Sequence, residues 1–235
     1  MVIDNIRKTL KELGFANGVL YLLNRVLQKA SGGRAFIVRY HFVAQPVPPN
    51  SKPGIRPSAK SRVRQVGPTD PVVSRFPRPP HVIARRFSDG AICFAAESEG
   101  EFAGYLWLTR NAYEEDEVRC RYEFRPPELC AWDYDVYVEP KYRIGRTFAR
   151  LWEAANCHLA GQGVRWSLSR ISTFNMASIS AHQRLKAEKI ATATFITLGS
   201  VQISLLPFPP HLQISNSSSK RPSIQLLAPL HRQQD

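Results

Sequence analysis

Hydrophobic side chains near the start of the chain recur at the spacing of an α-helix. Apolar residues return every three or four positions over residues 3–13 and again over 19–27, and Gly32 and Gly33 follow the second run. Such a period places the apolar side chains on one helix face, and glycine commonly ends a helix. The pattern predicts two amphipathic helices, which either pack on the rest of the protein or lie on a membrane surface.

Downstream, segments typical of β-strands alternate with two helical segments. Helical periodicity covers residues 146–160 and 177–186. The predicted strands cover residues 35–43, 91–97, 102–109, 119–124, 132–138, 164–169, 190–198 and 201–206. A tight hairpin turn is predicted at residues 98–101, between the second and third of these strands. Because strand 132–138, helix 146–160 and strand 164–169 follow one another, we expect them to form one parallel crossover. The predicted fold class is α/β, with a mixed, mostly antiparallel sheet around this central β-α-β crossover and an N-terminal helical extension.

Proline divides the chain into regions. Ten of the 18 prolines lie in residues 46–80 and five follow residue 206, whereas none lies in 81–125 or 141–206. Proline lacks a backbone N–H and interrupts regular structure. We therefore predict four segments. They are basic helices and a strand at 1–44, a Pro-rich arm or linker at 45–80, an α/β domain at 81–206, and a disordered tail at 207–235.

Positive charge is concentrated at the N-terminal end. The formal net charge is +13, and residues 1–80 hold 14 basic and 3 acidic side chains. Such a field attracts anionic partners, but no nucleic-acid motif accompanies it, so no specific nucleic-acid partner is expected. The longest apolar stretch, residues 15–27, is too short and too interrupted to span a membrane, and no secretory signal is recognisable, so a cytoplasmic protein is predicted. The four cysteines form no CxxC pair, and no metal site is predicted.

Residues 135–151 read DVYVEPKYRIGRTFARL. This run resembles the acyl-CoA motif of the GNAT family of N-acetyltransferases, in which a strand ending in Val-x-Pro-x-Tyr-Arg leads into a glycine-containing loop at a helix start. The first turn of a helix offers unpaired N–H groups to a pyrophosphate. The resemblance implies that loop 143–148 cradles the pyrophosphate of coenzyme A, with Arg143 and Arg146 adding charge. The loop departs from the family by holding only Gly145 and by being about one residue short.

A second run, residues 175–185 (NMASISAHQRL), is similar to the family signature Asn-x-x-Ala/Ser-x-x-x-Tyr-x-x-Leu-Gly-Phe. His182 stands where the family commonly has a tyrosine that protonates the departing thiolate. An imidazole, with an ordinary pKa near 6.5, can donate that proton. The alternative is a partly buried helix histidine without a catalytic role. Lys186 and Ala187 replace the usual Gly-Phe.

Two carboxylates on the motif strand are candidates for the base that deprotonates an amine. Asp133 and Asp135 share one face of a regular strand, since its side chains alternate with period two, and like-charge proximity would raise the pKa of one of them. Alternatively, both pair with Arg119 or Arg121 on the neighbouring strand. The acidic run at residues 114–117 predicts a solvated hairpin tip or, less simply, a surface that recognises a cationic amine.

The resemblance also implies that the motif strand offers backbone groups to the pantetheine arm and the thioester oxygen. The residues predicted to bind acyl-CoA are Val136, Tyr137, Val138, Arg143, Ile144, Gly145, Arg146, Thr147, Phe148, Asn175 and Ser178. The implied activity is transfer of an acetyl group from acetyl-CoA, the acyl donor, to a primary amine of a small molecule or peptide by direct attack in a ternary complex. The alternatives are a catalytically degenerate GNAT-fold module that binds CoA or a protein, and peripheral membrane contact through residues 1–30.

Overall fold

A computed structural model of the protein describes residues 2–49, 54, 60–217 and 221–229. The helices are α1 (Val2–Leu13), α2 (Phe15–Ser31), α3 (Pro80–Ser88), α4 (Thr147–Gly161) and α5 (Met176–Arg184). The strands are β1 (Ala35–Pro46), β2 (Ser61–Val66), β3 (Ile92–Ser98), β4 (Glu101–Thr109), β5 (Tyr113–Glu114), β6 (Arg121–Arg125), β7 (Cys130–Val138), β8 (Trp166–Ser172), β9 (Glu188–Leu198), β10 (Val201–Leu205), β11 (Leu212–Ser215) and β12 (Ser223–Leu227). Of these, α3, β2, β5, β11 and β12 have no counterpart in the sequence prediction.

The chain folds into two compact units, each assembled from separate stretches of sequence. Unit 1 comprises Met1–Gln45, Ala112–Arg125 and Leu168–Asp235, and unit 2 comprises Pro46–Asn111 and Pro126–Ser167. The chain therefore passes from one unit to the other four times. This division does not follow the four predicted segments, because strands distant in sequence pair within each unit.

Strand β1 connects the two N-terminal helices to the sheet of unit 1. It pairs antiparallel with β9, with Ala35 opposite Leu198 and Ala44 opposite Glu188. The strand order in unit 1 is β8-β1-β9-β10-β11. Strands β9 and β10 form a hairpin through Gly199, whose φ of 58° lies in the left-handed region that glycine adopts without strain.

The tail predicted to be disordered contains two strands of unit 1. Strand β11 pairs antiparallel with β10, and β12 pairs parallel with β6 in a small second sheet of order β12-β6-β5. The prediction of disorder is wrong for these residues, because the neighbouring strand β10 and the distant strand β6 supply hydrogen bonds that the tail's composition does not reveal. Residues 218–220 and 230–235 of that tail lie outside the described residues.

The two predicted N-terminal helices are confirmed, and Gly32 ends the second one in the left-handed conformation. Helix α2 faces β1 with polar side chains. Asn24 Oδ1 accepts the Ile37 N–H at 2.8 Å, and Asn17 Oδ1 accepts from the Arg39 guanidinium at 3.2 Å. Helix α1 crosses α2 closely, since a Cβ added at residue 18, a glycine, would lie 2.7 Å from Leu10 Cδ2.

Unit 2 contains the strand order β2-β3-β4-β7, with all neighbouring pairs antiparallel. The predicted turn between β3 and β4 is confirmed, and its two central residues, Glu99 and Gly100, both have positive φ, as a type I′ turn requires. The segment predicted as a linker contributes β2 and a 3-10 turn, Pro71–Arg75, to this unit. Residues 50–53 and 55–59 of that segment lie outside the described residues.

The predicted β-α-β crossover is present as β7, α4 and β8. The Arg165 N–H donates to the Leu129 carbonyl at 2.9 Å, and Ser167 Oγ donates to Asp133 at 2.8 Å. Residue numbers rise together across these contacts, which is the relation found in a parallel pair. Helix α4 buries Leu151 and Trp152 among its apolar side chains. The fold class is α/β with a mixed, mostly antiparallel sheet, and that prediction is confirmed.

Candidate functional site

Strand β7 carries a β-bulge in its middle. Trp107 of β4 faces Tyr134 and Tyr105 faces Tyr137, so Asp135 and Val136 together oppose a single residue of β4. Asp135 has a φ of 47°, a conformation that aspartate tolerates better than most residues. A bulge interrupts the alternation of side chains. The expectation that Asp133 and Asp135 share one face is therefore wrong.

Asp135 is held by two arginines and a tyrosine. Its Oδ2 accepts from Arg78 Nε at 2.9 Å and from the Tyr105 hydroxyl at 3.0 Å, and Arg86 also donates to it. Burial opposes ionisation of this carboxyl, but the two guanidinium groups outweigh burial and leave its pKa below the ordinary value. A raised pKa at Asp135 is thus not found.

The arginines that pair with Asp135 differ from the predicted ones. Arg78 lies just before α3 and Arg86 lies on α3, whereas Arg119 and Arg121 belong to unit 1. Arg121 pairs instead with Glu114 at 3.5 Å. The prediction of Arg119 or Arg121 as partners is wrong, because β6, on which Arg121 lies, pairs with β5 and β12 rather than with β7.

Arg86 is a buried cation within an aromatic cluster. Only 8% of its side chain is exposed, and its guanidinium carbon lies 5.4 Å from the Trp107 ring centroid and 5.1 Å from that of Tyr134. Cations over aromatic faces are stabilised electrostatically. Sequence reasoning missed Arg78, Arg86 and Tyr105, because no periodicity links residues so far apart in the chain.

Asp133 has a different environment. It is 2% exposed, and Ser167 Oγ on β8 donates to its Oδ2 at 2.8 Å. Whereas Asp135 contacts Tyr105 and α3, Asp133 contacts the first residues of β8. The two predicted bases are therefore separate groups with separate partners.

The loop between β7 and α4 contains the predicted pyrophosphate residues. Helix α4 begins at Thr147, and the side chain of its N-cap residue, Arg146, makes no capping hydrogen bond. Arg143 Nε donates to the Val138 carbonyl at 3.0 Å, which ties the loop to the end of β7. Ile144 is fully exposed, and Arg146 is exposed at the N-cap position. An uncapped, solvent-facing helix start has N–H groups available to an anion.

Gly145 contributes space to this loop rather than an unusual backbone conformation. It is not among the glycines with positive φ, and an added Cβ would meet only the Tyr142 carbonyl, at 3.4 Å. A glycine with a closer constraint is Gly104 of β4, where a Cβ would lie 2.4 Å from the Tyr137 carbonyl. Gly104 thus permits the close approach of β4 to β7 beyond the bulge.

The second motif lies on α5 in unit 1, whereas Asp133, Asp135 and residues 136–138 and 143–148 lie in unit 2. Asn175 is the N-cap of α5, and its Oδ1 accepts the Ser178 N–H at 3.0 Å. This bond gives both residues a role in starting the helix.

His182 is 8% exposed, and its Nδ1 bonds the Ser178 carbonyl at 2.9 Å. A carbonyl only accepts, so Nδ1 carries the hydrogen, and Nε2 is the atom that can take up a further proton. Lys186 follows the end of α5 with a φ of 62°. The lysine thus adopts, at the family's glycine position, the backbone that favours glycine.

His182 lines a cavity of about 320 Å³ within unit 1, together with His41 and Thr173. Thr173 is fully buried, and its hydroxyl has no hydrogen-bond partner among the described residues. Burial lowers the pKa of His41, and the nearby charges of Lys189 and Arg39 lower it further. Nothing in the sequence around His41 or Thr173 indicated that these two residues line a cavity.

The acidic run at residues 114–117 is only partly solvated, since Glu114, Asp116 and Glu117 are exposed but Glu115 is not. The side chain of Glu115 is fully buried, and its two oxygens accept from Arg170 Nε at 2.9 Å and from an Arg170 terminal nitrogen at 2.7 Å. The Arg170 guanidinium also lies over the Tyr40 ring, 4.4 Å from its centroid. The prediction of a solvated tip is therefore wrong for Glu115, because an arginine more than fifty residues away neutralises it.

No protein-family profile matches the sequence, and no curated protein matches it. Solved structures do match. A protein assigned to the GNAT family of acetyltransferases from Novosphingobium aromaticivorans is 16% identical over 70% of this chain and 65% of its own, with a TM-score of 0.47. A tandem GNAT protein from the clavulanic acid biosynthesis pathway is 17% identical over 70% and 55%, with a TM-score of 0.46. A functionally unknown conserved protein from Staphylococcus epidermidis is 7% identical over 73% and 66%, with a TM-score of 0.50.

At these identities the likeness concerns the fold alone. The chain spans 65%, 55% and 58% of the first three structures that it matches. GNAT proteins are among the structures that it resembles, and GNAT is also the family that the motifs at residues 135–151 and 175–185 resemble. Among the described residues, no helix combines the length and the apolar character that crossing a membrane requires.

Proposed function

We propose that this protein is an acyl-CoA-dependent N-acyltransferase that transfers an acetyl group from acetyl-CoA to a primary amine of a small molecule or peptide. One observation carries the proposal: the exposed, uncapped start of α4 follows the bulged strand β7 directly, and the acyl-CoA motif occupies this junction. Ligands of α/β sheets bind beyond the carboxyl ends of strands, where a helix begins. A cytoplasmic location stays a prediction.

Loop 143–148 suits a pyrophosphate group. The N–H groups of the first turn of α4 and the positive end of the helix dipole both favour an anion. Arg146 adds an exposed positive charge at the N-cap, while Arg143 fixes the loop to Val138. Gly145 leaves room beside these groups, since only the Tyr142 carbonyl lies near the position of its missing Cβ.

The bulge in β7 suits the thioester end of the donor. Two residues of β7 oppose one residue of β4, so one set of backbone groups near Asp135 and Val136 is not matched by β4. An N–H group aimed at a carbonyl oxygen stabilises the negative charge that develops there during attack by an amine. Residues 136–138 are the proposed contacts for the pantetheine arm.

His182 is the proposed acid. In a direct attack the amine nitrogen bonds the acyl carbon and releases one proton to water or to a base, the carbon–sulfur bond breaks, and the thiolate takes up a proton. Since Nδ1 of His182 donates to Ser178, the proton would come from Nε2 of the cationic imidazolium. The proposal therefore requires His182 to be protonated before the thiolate leaves.

The predicted bases are less well supported. Asp135 has a lowered pKa and two arginine partners, so it is a weak acceptor of a proton from an ammonium group. Asp133 is buried beside Ser167. This favours a second candidate function, a catalytically degenerate GNAT-fold module that binds CoA or a protein without turnover.

Calorimetric titration with acetyl-CoA and with CoA tests the binding part of the proposal. We expect saturable binding that Arg146→Ala weakens about tenfold, because a charge-assisted contact to phosphate is lost. Gly145→Glu should abolish binding, whereas Gly145→Ala, which the backbone tolerates, should bind nearly as the parent does. Absence of binding by the folded parent protein would refute the acyltransferase and would leave the degenerate module only as one that binds a protein.

Turnover separates the two candidates. Release of free CoA is measured with acetyl-CoA and a panel of amines, using the parent protein and His182→Phe. Amine-dependent release that His182→Phe removes while CoA binding stays intact supports the acyltransferase. Binding without release for any amine supports the degenerate module.

A further inference from the structure

Helix α2 is oriented with its polar side towards unit 1 and its apolar side outward. Asn17 and Asn24 bond β1, and Tyr21 packs edge-on against Phe174 with 5.5 Å between ring centroids. Three exposed residues on the outward side are apolar. Phe15 is 77% exposed, Val26 66% and Leu23 48%.

These three outward side chains, which we call the α2 stripe, lie on one side of the helix. Residues 15, 23 and 26 fall within about 80° of one another at 100° per residue. Single exposed apolar residues are ordinary on protein surfaces, whereas a contiguous run marks a site of interaction. Ile6 of α1, 37% exposed, is a further exposed apolar residue of the two helices.

The same helices are positively charged. Residues 2–34 contain six basic and two acidic side chains, a net charge of +4. All six basic side chains are exposed, and they are Arg7, Lys8, Lys11, Arg25, Lys29 and Arg34. A second copy of this chain would bring two such surfaces of like charge together, which is unfavourable. A surface of anionic headgroups would neutralise them while apolar side chains enter the boundary with the acyl chains.

We propose that the α2 stripe and the basic side chains of α1 and α2 bind the surface of an anionic phospholipid bilayer. The helices lie on the bilayer and do not cross it, since α1 has 12 residues and α2 has 17. The two helices belong to unit 1 and loop 143–148 to unit 2, and the proposal does not depend on the proposed acyl transfer.

Flotation of the full-length protein with vesicles tests the proposal. One set of vesicles is pure phosphatidylcholine, and the other is an equimolar mixture of phosphatidylcholine and phosphatidylglycerol. We expect binding to the mixed vesicles at least about tenfold stronger than to the neutral ones, and weaker binding at about 1 M salt than at about 0.1 M.

Two pairs of variants locate the contact. Phe15→Ser/Val26→Ser removes apolar groups from the stripe and should lower binding about tenfold or more. Its control, Leu212→Ser/Ile214→Ser, removes side chains of comparable exposure, 56% and 67%, from β11 and should bind as the parent does. Arg25→Glu/Lys29→Glu should lower binding to anionic vesicles. Arg184→Glu/Lys186→Glu, at the C-terminal end of α5 and just after it, changes the charge by the same amount and should not lower binding.

The substituted side chains are exposed, so the variants should keep the parent's thermal unfolding midpoint. Equal binding to neutral and anionic vesicles, no binding at all, or equal losses in the control variants would overturn the proposal. So would sedimentation that shows a dimer of the parent protein which Phe15→Ser/Val26→Ser dissociates, because the stripe would then cover a second copy.

Discussion

Each unit contains a buried carboxylate held by arginine, but the two sites are built differently. In unit 1, the fully buried side chain of Glu115 meets a single guanidinium, that of Arg170, through both oxygens. In unit 2, Asp135 lies on a bulge and shares two arginines, of which Arg78 is 41% exposed and Arg86 is 8% exposed. Glu115 additionally accepts the backbone N–H groups of the two residues that follow it.

The Glu115 carboxylate is shielded from water, whereas the Asp135 site is partly open to water. The carboxylate of Glu115 is fully buried and the groups bonded to it all belong to unit 1, so its ion pair acts on the stability of the fold. Asp135 instead connects a strand proposed to contact substrate with a segment whose Arg78 reaches water. A change at Asp135 should therefore alter β7 and its neighbours as well as stability, and variants at both sites can separate the two effects.

The largest effect is expected at Glu115. Glu115→Ala leaves Arg170 buried without its main counter-charge, and we expect the free energy of unfolding to fall by about 3–5 kcal/mol. Urea denaturation measures this loss. Glu114→Ala is the matched control, because Glu114 is 57% exposed, and its loss should stay within about 1 kcal/mol. Similar losses of unfolding free energy in both variants would show that burial does not distinguish Glu115 from Glu114.

A smaller loss is expected at Asp135. Asp135→Asn keeps the shape of the side chain but removes the charge that faces Arg86, while Arg78 can turn towards water. We expect a loss of about 2 kcal/mol in the same denaturation experiment. Glu101→Gln, at a carboxylate that is 58% exposed in the same unit, should cost less than about 1 kcal/mol.

A contradiction would come from Asp135→Asn being as costly as Glu115→Ala. The Asp135 site would then be as well shielded from water as the Glu115 site of unit 1. Acetyl-CoA titration of Asp135→Asn adds an independent readout, since a displaced β7 should weaken binding even where the protein stays folded.

The lowered pKa of Asp135 predicts a pH dependence. A carboxyl with a folded pKa below its unfolded value of 3.8 stabilises the fold above that value. This stabilisation is lost as the pH falls through the folded pKa. From about pH 4 downwards, the free energy of unfolding should fall more steeply for the parent protein than for Asp135→Asn. Parallel slopes for the two proteins would show that the arginines do not favour the ionised carboxyl.

The smallest effect is expected at Arg78. Arg78→Ala leaves Asp135 paired with Arg86 and bonded to Tyr105, and the lost side chain was partly in water. We expect a change of no more than about 1 kcal/mol in the free energy of unfolding. Arg86→Ala in the same series should cost more, because it also removes a cation from between the Trp107 and Tyr134 rings. Equal effects of the two substitutions would argue against the difference in burial.

Local patterns predicted much of the fold and part of the site. Some elements could be predicted because they depend only on residues close together in the sequence. These are the helices over residues 3–13 and 19–27 and the hairpin turn at residues 98–101. Helix α3 was missed because its nine residues begin at a proline and contain few apolar positions. Strands β11 and β12 were missed because their partners, β10 and β6, decide whether such short segments become strands.

The bulge in β7 shows the limit of alternation as a guide to side-chain direction. Period two placed Asp133 and Asp135 on one face, but the pairing of β7 with β4 inserts one extra residue, and Gly104 allows the two strands to approach closely. Neither cause lies in β7 itself. Residues such as Arg78 and Arg86 reach Asp135 through tertiary structure, which the local sequence does not contain.

The interleaving of the two units has a consequence for synthesis on the ribosome, where the chain emerges from its N-terminus. Unit 2 cannot close until Ser167 has emerged, and unit 1 waits for β12 to reach its parallel partner β6, about a hundred residues earlier. Helices α1 and α2 meanwhile leave the ribosome long before β9 is available to β1. During translation, helices α1 and α2, with their basic side chains and the apolar α2 stripe, are therefore exposed well before the β-sheet that anchors them has formed.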